Sequence, residues 1–278
     1  MTIDEIIKAA LAEDVGNGDH TSLSTIPQWA IGRANLLIKE NGILCGVDIA
    51  RKVFNTVDPD LDFQVFIEDG NDVVPGDIVF SVSGKVISIL TGERLALNFM
   101  QRLSGIATNT RLMVNELKGT KARLLDTRKT TPNFRELEKM AVRTGGGENH
   151  RMGLYDMILI KDNHVDFAGG IKQAIKAVHN YIKDKALDLK IEIEVRNFDE
   201  LNLVMETGGV DRIMLDNFNV SDLKKAVELV AGRFETEASG NITLKNIREY
   251  AKTGVDFISS GQLTHQIRSL DMSLKADF

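Results

Sequence analysis

The sequence has very little cysteine and no strong excess of either charge, and both absences exclude classes of protein. Its 278 residues contain one cysteine, Cys45, so neither an internal disulfide nor a multi-cysteine zinc site can form. We interpret Cys45 as a packed apolar residue in a reducing compartment. Lysine and arginine number 34 against 40 aspartates and glutamates, a net charge of −6. This balance offers no basic surface for nucleic acid, so any anion site must be a local cluster.

Long apolar runs and the spacings of common metal and dinucleotide motifs are also missing. No stretch approaches the roughly 18 apolar residues of a membrane helix, and the acidic N-terminal turns do not match a secretory signal. The five histidines show no HxH or HExxH spacing, and no GxGxxG follows the first strand. With 43% hydrophobic residues, the chain can bury a substantial core. We therefore expect a cytoplasmic globular protein without membrane or nucleic-acid partners.

Helical and strand-like patterns divide the chain into two regions. Residues 2–14 show helical apolar spacing, and residues 33–90 form short β-type runs around a predicted helix at 50–57. A long helical stretch over residues 93–119 follows. These patterns predict a small α/β layer domain with a boundary near residue 105.

Beyond residue 119, short buried strands alternate with amphipathic helices. The candidate strands cover residues 122–126, 157–161, 191–195, 212–216, 234–240 and 257–261. The later strand ends recur about every 22 residues, which is compact for the βα units of an α/β barrel. A doubly wound open sheet is the alternative, but the short units and the missing dinucleotide fingerprint favour the barrel.

Functional groups are concentrated at the ends of these strands. In either α/β architecture, ligands collect at the C-terminal ends of the parallel strands. The predicted strand ends carry Asp126, Lys161, Glu194, Asp216, Ser239 and Gly261. One charged strand end is usually a solvated cap, whereas several together indicate a site.

Two basic clusters and two serine-glycine pairs predict what this site binds. The clusters are DTRKTTP at residues 126–132 and NHR at residues 149–151. Guanidinium groups bind carboxylates in bidentate fashion and lysine supplies a mobile charge, so this mixture suits a substrate with several carboxylates or phosphates. The Ser239-Gly240 and Ser260-Gly261 pairs favour a phosphate in late barrel loops. The glycine run 145–147 is either an anion site or a helix C-cap.

The strand-end carboxylates indicate a second kind of ligand at the same edge. Glu194 and Asp216 suit either Mg²⁺ or ribose hydroxyls. Strict alternation in IEIEV directs Glu192 and Glu194 into the barrel lumen, where Lys161 and Lys129 are the expected partners.

The histidines divide by position. His150 and His164 lie within the charged segments and are candidates for proton transfer or anion binding. His179 is predicted to be an ordinary helix residue, and the role of His265 is left open.

Eight segments match one family pattern in order along the chain. They are AEDVGNGDHTS, GERLALNFMQRLSGIAT, LLDTRKTTP, AVRTGGGENHRMGLYDMILIKDNH, IEIEV, IMLDN, EASGNIT and TGVDFISSGQLTH. Together they resemble the quinolinate phosphoribosyltransferase family over nearly the whole chain. The resemblance implies an α/β fold, with an incomplete α/β barrel (TIM-like) at residues 106–266. It also implies an N-terminal open α/β sandwich domain at residues 1–105, completed by the tail 267–278.

The resemblance also implies a reaction and its partners. Quinolinate and phosphoribosyl pyrophosphate would give nicotinate mononucleotide, pyrophosphate and carbon dioxide, in de novo NAD biosynthesis. The implied cofactor is Mg²⁺. The implied assembly is a homodimer with shared active sites, or a higher oligomer.

The family pattern carries roles onto matching residues of this sequence. Arg94 matches an arginine that reaches into the partner subunit's site. The residues matching the dicarboxylate pocket are Arg128, Lys129, His150, Arg151 and Lys161. Glu194 and Asp216 match groups near ribose and Mg²⁺, and the loops near the 5′-phosphate contain Ser239, Gly240, Ser260 and Gly261. The catalytic candidates are Lys129, Lys161, Glu194 and Asp216.

Three positions depart from the pattern, and two other functions compete. Asn241 stands where many relatives have glycine, Ser260 where valine is frequent, and Arg196 where an acidic or small polar residue is commoner. An aldolase or related lyase with a Schiff base on Lys161 is one alternative, but it leaves the arginines unexplained. A binding protein that kept the fold is the other, and the intact DTRKT, NHRMG and KDNH strings disfavour it.

Overall fold

The computed structural model describes residues 1–277, which divide into two compact units. The first unit contains residues 1–111, 130–146 and those from 263 onward, and the second contains residues 112–129 and 147–262. Within the described residues, no helix combines the length and apolar character needed to cross a membrane.

The elements up to residue 116 are four helices, the last of them 31 residues long, and five strands with antiparallel pairing. They are α1 (Ile3–Val15), α2 (His20–Thr25), β1 (Ile31–Ile38), β2 (Gly42–Ile43), α3 (Val47–Val57), β3 (Asp62–Val65), β4 (Asp72–Val73), β5 (Ile78–Lys85) and α4 (Val86–Glu116). Helix α1 begins with a capping box in which Thr2 and Glu5 bond each other's backbone N–H groups.

The remaining elements alternate strand and helix. They are β6 (Arg123–Leu125), α5 (Arg135–Thr144), β7 (Ile158–Ile160), α6 (Asp162–Ala168), α7 (Ile171–Lys185), β8 (Ile191–Val195), α8 (Phe198–Thr207), β9 (Arg212–Asp216), α9 (Val220–Val230), β10 (Glu235–Ser239), α10 (Ile247–Ala251), β11 (Phe257–Ser259), α11 (Gln262–His265) and β12 (Met272–Asp277). Asn197 and Asn219 cap α8 and α9 by accepting backbone N–H groups three residues ahead.

The first unit is organised around an antiparallel sheet in the order β12-β1-β5-β3. The chain's last strand, β12, pairs along β1 from Ile38↔Met272 to Arg33↔Asp277. The rings of Phe54, Phe63 and Phe80 pack together in this unit, with centroids 4.4–6.2 Å apart. Cys45 is fully buried, as predicted, and its amide bonds the Ser104 hydroxyl.

The second unit is built on six parallel strands in the order β6-β11-β10-β9-β8-β7. A parallel bridge between Leu125 and Glu148 adds one more short pairing at the β6 side. The outward isoleucines of β8, Ile191 and Ile193, are buried, while Glu192 is also fully buried on the other side of the strand. The predicted incomplete α/β barrel is confirmed, and the open doubly wound sheet is not what the chain forms.

Two predictions differ from the structure, one of an element and one of a domain boundary. Residues 86–90, assigned to the β-type region, form the first turns of α4, because an apolar run such as VISIL fits a buried helix as well as a strand. The predicted barrel domain began at residue 106, whereas residues 130–146, including α5, belong to the first unit. There the rings of Phe134 and Phe99 stack at 5.5 Å.

The tail of the first unit is held against α4. Gln101 donates to the backbone carbonyl of Met272 and accepts the N–H of Leu270 at its own carbonyl. A methyl group added at Gly105 would lie 2.2 Å from the carbonyl oxygen of Arg268. At Gly92, on the same helix, it would instead meet the ring of Phe54 at 2.9 Å.

We expect Gly105→Ala to lower the Tm by roughly 3–10 °C, because overpacking costs about 1–3 kcal/mol and the obstacle is backbone. Gly92→Ala is the comparison, since it gives the same gain in helix propensity but meets the edge of a buried ring at 2.9 Å, not a backbone oxygen at 2.2 Å, so its loss of Tm should be smaller. Circular dichroism during heating measures both. Equal effects of the two substitutions would show that the tail does not restrict this position.

Candidate active site

The parallel sheet brings most of the predicted site residues to one edge. Lys161 follows β7, Glu194 lies near the end of β8, and Asp216 and Ser239 end β9 and β10. Asp216 and Ser239 are direct partners in the register. Because the strands are parallel, these side chains share the C-terminal edge of the sheet.

Lys161, Glu194 and Asp216 form a mixed-charge group at this edge. The Lys161 ammonium lies 3.4 Å from a carboxylate oxygen of Glu194. Partial burial raises the pKa of Glu194, and the negative charge of Asp216 raises it further, while Lys161 opposes the change. Asn217 donates to Asp216 at 2.7 Å. The predicted pairing of Lys161 with a lumen glutamate is therefore present at Glu194.

Asp126 holds the two basic segments together. It is fully buried, and its carboxylate accepts the backbone N–H of His150 at 2.8 Å and the side-chain amide of Asn149. A carboxylate buried in this way fixes the loop before β7. Asp126 thus fixes the DTRKTTP and NHR segments relative to each other.

The two segments that Asp126 joins each carry an arginine, Arg128 and Arg151, and the positive charges of the two side chains interact. Arg128 and Arg151 are both half-buried, and Arg151 donates to the carbonyl of Met157 at 3.1 Å. Burial lowers the pKa of Arg151, and the positive charge of Arg128 lowers it further. Like charges held together out of water attract a multivalent anion. Lys129, next along the chain, is exposed.

Glu192 has a different partner from the predicted one. Glu192 does not pair with Lys161 or Lys129. Its carboxylate lies 3.0 Å from Nε2 of His150, and Nε2 also lies 3.6 Å from Glu237. The His150 side chain is only 5% exposed, so it faces the lumen carboxylates. Glu192 lies two residues before Glu194 on β8, so it is further from the strand end that Lys161 follows.

The lumen carboxylates are balanced by Arg212 of β9. Arg212 donates to Glu237 at 3.0 Å and to Glu235 at 3.2 Å, and its guanidinium stacks 3.7 Å from the ring centre of Phe257. Complete burial raises the pKa of Glu237, and the charge of Glu192 raises it further. Burial likewise raises the pKa of Glu192.

Metal binding at this buried cluster is disfavoured. His150, Glu192 and Glu237 place potential ligand atoms within 4.8 Å of one another. The guanidinium of Arg212 already occupies Glu237, and a second cation there would be repelled. A hard cation fits better between the half-buried carboxylates of Glu194 and Asp216, beside open solvent.

The predicted phosphate loops adopt two different arrangements. Gly240 has a φ of +98°, and a methyl group there would lie 2.2 Å from Oδ1 of Asn217. Asn241 donates to the same oxygen at 3.2 Å, which gives this departure from the family pattern a local role. The Ser260 hydroxyl is buried and donates to the carbonyl of Ile242 at 2.8 Å. Ser260 therefore shapes its loop, and Gly261 follows at the half-exposed edge.

Other predicted positions have structural roles. Gly145 is the C-cap of α5, so the capping alternative for the glycine run is confirmed. Arg196 bonds Asp166 and Glu200 at the surface. Nδ1 of His164 accepts the N–H of Lys161, and His179 lies on α7. Arg94 lies on α4 in the first unit and is exposed.

The chain matches two family models in sequence. Residues 19–104 match "Quinolinate phosphoribosyl transferase, N-terminal domain", and residues 106–275 match the corresponding C-terminal domain. The chain belongs to the quinolinate phosphoribosyltransferase family. It is therefore a phosphoribosyltransferase, which excludes the lyase based on Lys161.

Relatives named for one reaction support this membership. The chain is 48% identical over 98% of its length, and over 82% of the relative, to a carboxylating nicotinate-nucleotide pyrophosphorylase, chloroplastic, from Arabidopsis thaliana. It is 41% identical over 99% of its length, and over 92% of the relative, to a probable carboxylating nicotinate-nucleotide pyrophosphorylase from Synechocystis.

Solved structures of the family share the fold. The nicotinate-nucleotide pyrophosphorylase from Francisella tularensis superposes with a TM-score of 0.93 at 41% identity, covering 99% of this chain and 96% of that one. NadC from Streptococcus pyogenes gives a TM-score of 0.93 at 40% identity, covering 98% and 95%.

The raised carboxyl pKa values in the lumen predict a pH-dependent stability. Burial raises the pKa of Glu237 from 4.5 to about 7, so the folded chain holds a proton that the unfolded chain has released. This contribution is complete below about pH 4.5 and is lost as the pH rises through 7. Glu237→Gln should therefore flatten the decline in the free energy of unfolding between about pH 5 and pH 8.

Urea denaturation at a series of pH values measures this decline. The matched control is Glu228→Gln on the exposed side of α9, which should keep the wild-type slope. An unchanged slope in Glu237→Gln would show that Glu237 is ionised throughout this range.

Proposed function

We propose that this chain transfers the phosphoribosyl group of phosphoribosyl pyrophosphate to quinolinate, giving nicotinate mononucleotide, pyrophosphate and carbon dioxide. This is the reaction named for its relatives at 41–48% identity. The observation that carries it is the placement of Lys161, Glu194 and Asp216 at the C-terminal edge of one parallel sheet, with the half-buried guanidiniums of Arg128 and Arg151 on the segments that follow β6 and precede β7. The guanidiniums suit a pyridine dicarboxylate, and the carboxylates suit the positive charge that develops on the ribose.

Arg128 and Arg151 bind the two ring carboxylates of quinolinate in this proposal. Two fixed guanidiniums define the plane and rotation of the ring, which aims its nitrogen at C1 of the ribose. Lys129 and Lys161 supply further positive charge at the rim of the pocket. A substrate with one carboxylate loses its contact with one of the two half-buried guanidiniums, so the site selects the dicarboxylate.

The strand-end carboxylates act on the ribose. As the C1–O bond to pyrophosphate breaks, positive charge develops on the ring, and Glu194 and Asp216 stabilise it at close range. The pyridine nitrogen takes the position of the leaving oxygen on C1. When the C2 carboxylate departs as carbon dioxide, its electron pair stays on C2 of the alkylated ring, and a proton from solvent then forms the C2–H bond of the product. Ser239, Gly240 and Gly261 line the loops for the 5′-phosphate.

Mg²⁺ is the proposed cofactor, held by Glu194 and Asp216 directly or through water. These two half-buried carboxylates fit a hard cation that keeps several waters and substrate oxygens. When bound, the ion neutralises charge on the departing pyrophosphate.

A homodimer with shared sites completes the proposal. Arg94 is exposed on α4, and we propose that it serves the partner subunit's pocket. A higher oligomer built from such dimers is compatible with this role. The single buried thiol, Cys45, suits the cytoplasm as the place of the reaction.

Product analysis tests the proposed reaction. Purified protein with quinolinate, phosphoribosyl pyrophosphate and Mg²⁺ should give nicotinate mononucleotide with one carbon dioxide per turnover. Nicotinate in place of quinolinate should give little product, and a chelator should abolish turnover. Product from nicotinate at a similar rate, or turnover without metal, would contradict the dicarboxylate or the metal part of the proposal.

Complementation tests the shared site. Arg94→Ala and Arg128→Ala should each be nearly inactive as pure proteins. Coexpressed with separable tags, half of the dimers should be mixed, and each mixed dimer should contain one intact site, giving about a quarter of wild-type activity. If the mixed dimers are as inactive as the two parents, Arg94 serves its own subunit.

A further inference from the structure

The imidazole of His150 accepts a backbone hydrogen bond at one nitrogen and lies at ion-pair distance from buried carboxylates at the other. Nδ1 accepts the backbone N–H of Arg151 at 2.7 Å, so the ring proton of the neutral form is on Nε2. Nε2 faces the carboxylates of Glu192 at 3.0 Å and Glu237 at 3.6 Å. The ring therefore links the backbone of the NHR segment to the lumen.

The lumen side of this link is anchored in three strands. Glu192, Arg212 and Glu237 belong to β8, β9 and β10, and all are buried. Arg212 joins the neighbouring carboxylates of β10 and packs on Phe257 of β11. An ion-paired network spread over a sheet has few alternative geometries, so His150 is attached to a rigid support.

The other side of this link is Arg151, whose guanidinium has to be held in place. Arg151 lies near Arg128, and the two positive groups repel each other. Without fixed attachments, Arg151 would turn towards water. Its attachments are the carbonyl of Met157 at the guanidinium and His150 at the backbone, and Asp126 holds the N–H of His150 itself.

We propose that His150 is a positioning residue, which fixes the backbone at Arg151 against the buried carboxylates of Glu192 and Glu237 and so aims the Arg151 guanidinium at a quinolinate carboxylate. The imidazole itself contacts no substrate. This inference rests on the proposed function, because it takes Arg151 to be part of the quinolinate pocket. It assigns to the buried network a role in substrate affinity.

Kinetics with each substrate varied separately test this role. His150→Ala should raise the KM for quinolinate roughly 10- to 100-fold, the effect of a misplaced binding group, and leave the KM for phosphoribosyl pyrophosphate within about 2-fold. His150→Gln keeps an amide donor towards Glu192 and should recover part of the loss. Glu192→Gln should also weaken quinolinate binding, by roughly 3- to 10-fold, although this residue is fully buried.

The controls separate this inference from its alternatives. His179→Gln and Glu228→Gln, both at exposed helix positions, should behave as wild type. A large loss in His150→Ala with wild-type kinetics in Glu192→Gln would mean that the imidazole binds substrate directly, and the proposal would be wrong. Equal losses for both substrates would also overturn it, since they indicate a general defect. If the wild-type enzyme makes no product from quinolinate, the proposed function itself fails.

Discussion

The parallel register of the six strands in the second unit is the constraint on which the site depends. It places the ends of β7 to β11 at one edge, and it places their inward side chains in successive levels beneath that edge. Asp216 and Ser239 occupy the upper level, Glu194 and Glu237 lie in the level below it, and Glu192 and Arg212 lie in the next. A shift of one residue in any strand would exchange lumen and helix-facing side chains. The same hydrogen bonds therefore hold the barrel and align its chemistry.

Burial makes the lower levels costly unless their charges are balanced. Two carboxylates without access to water repel each other, and Arg212 offsets part of this repulsion. The chain as a whole is acidic, at −6, yet it concentrates Arg128, Lys129 and Arg151 in two short segments, one after β6 and one before β7. These segments supply the local positive charge that an anionic substrate needs on an acidic protein.

The sequence was sufficient for the barrel, for the strand-end residues and for the Lys161–Glu194 pair, because each follows from periodicity and from motifs read along one segment. The lumen network could not be predicted in the same way. Alternation in IEIEV shows that Glu192 points inward, but its partner depends on the stagger between three strands and on the loop at His150. A signal was available in ETEAS, where Glu235 and Glu237 repeat the same alternation. Likewise, nothing local in FRELEKMAVRTG indicates that α5 packs in the first unit.

The pairing of β12 with β1 has a consequence for synthesis of the chain on the ribosome. β1 is made early, whereas its outer neighbour in the sheet is made only after the whole second unit. Until then β1 is an open edge, with unpaired N–H and C=O groups available to other chains. The barrel strands can associate during translation, but the first sheet closes last. Newly made chains thus pass through a stage in which the open edge of β1 can pair with other chains. A chaperone that covers this edge at that stage would prevent such pairing.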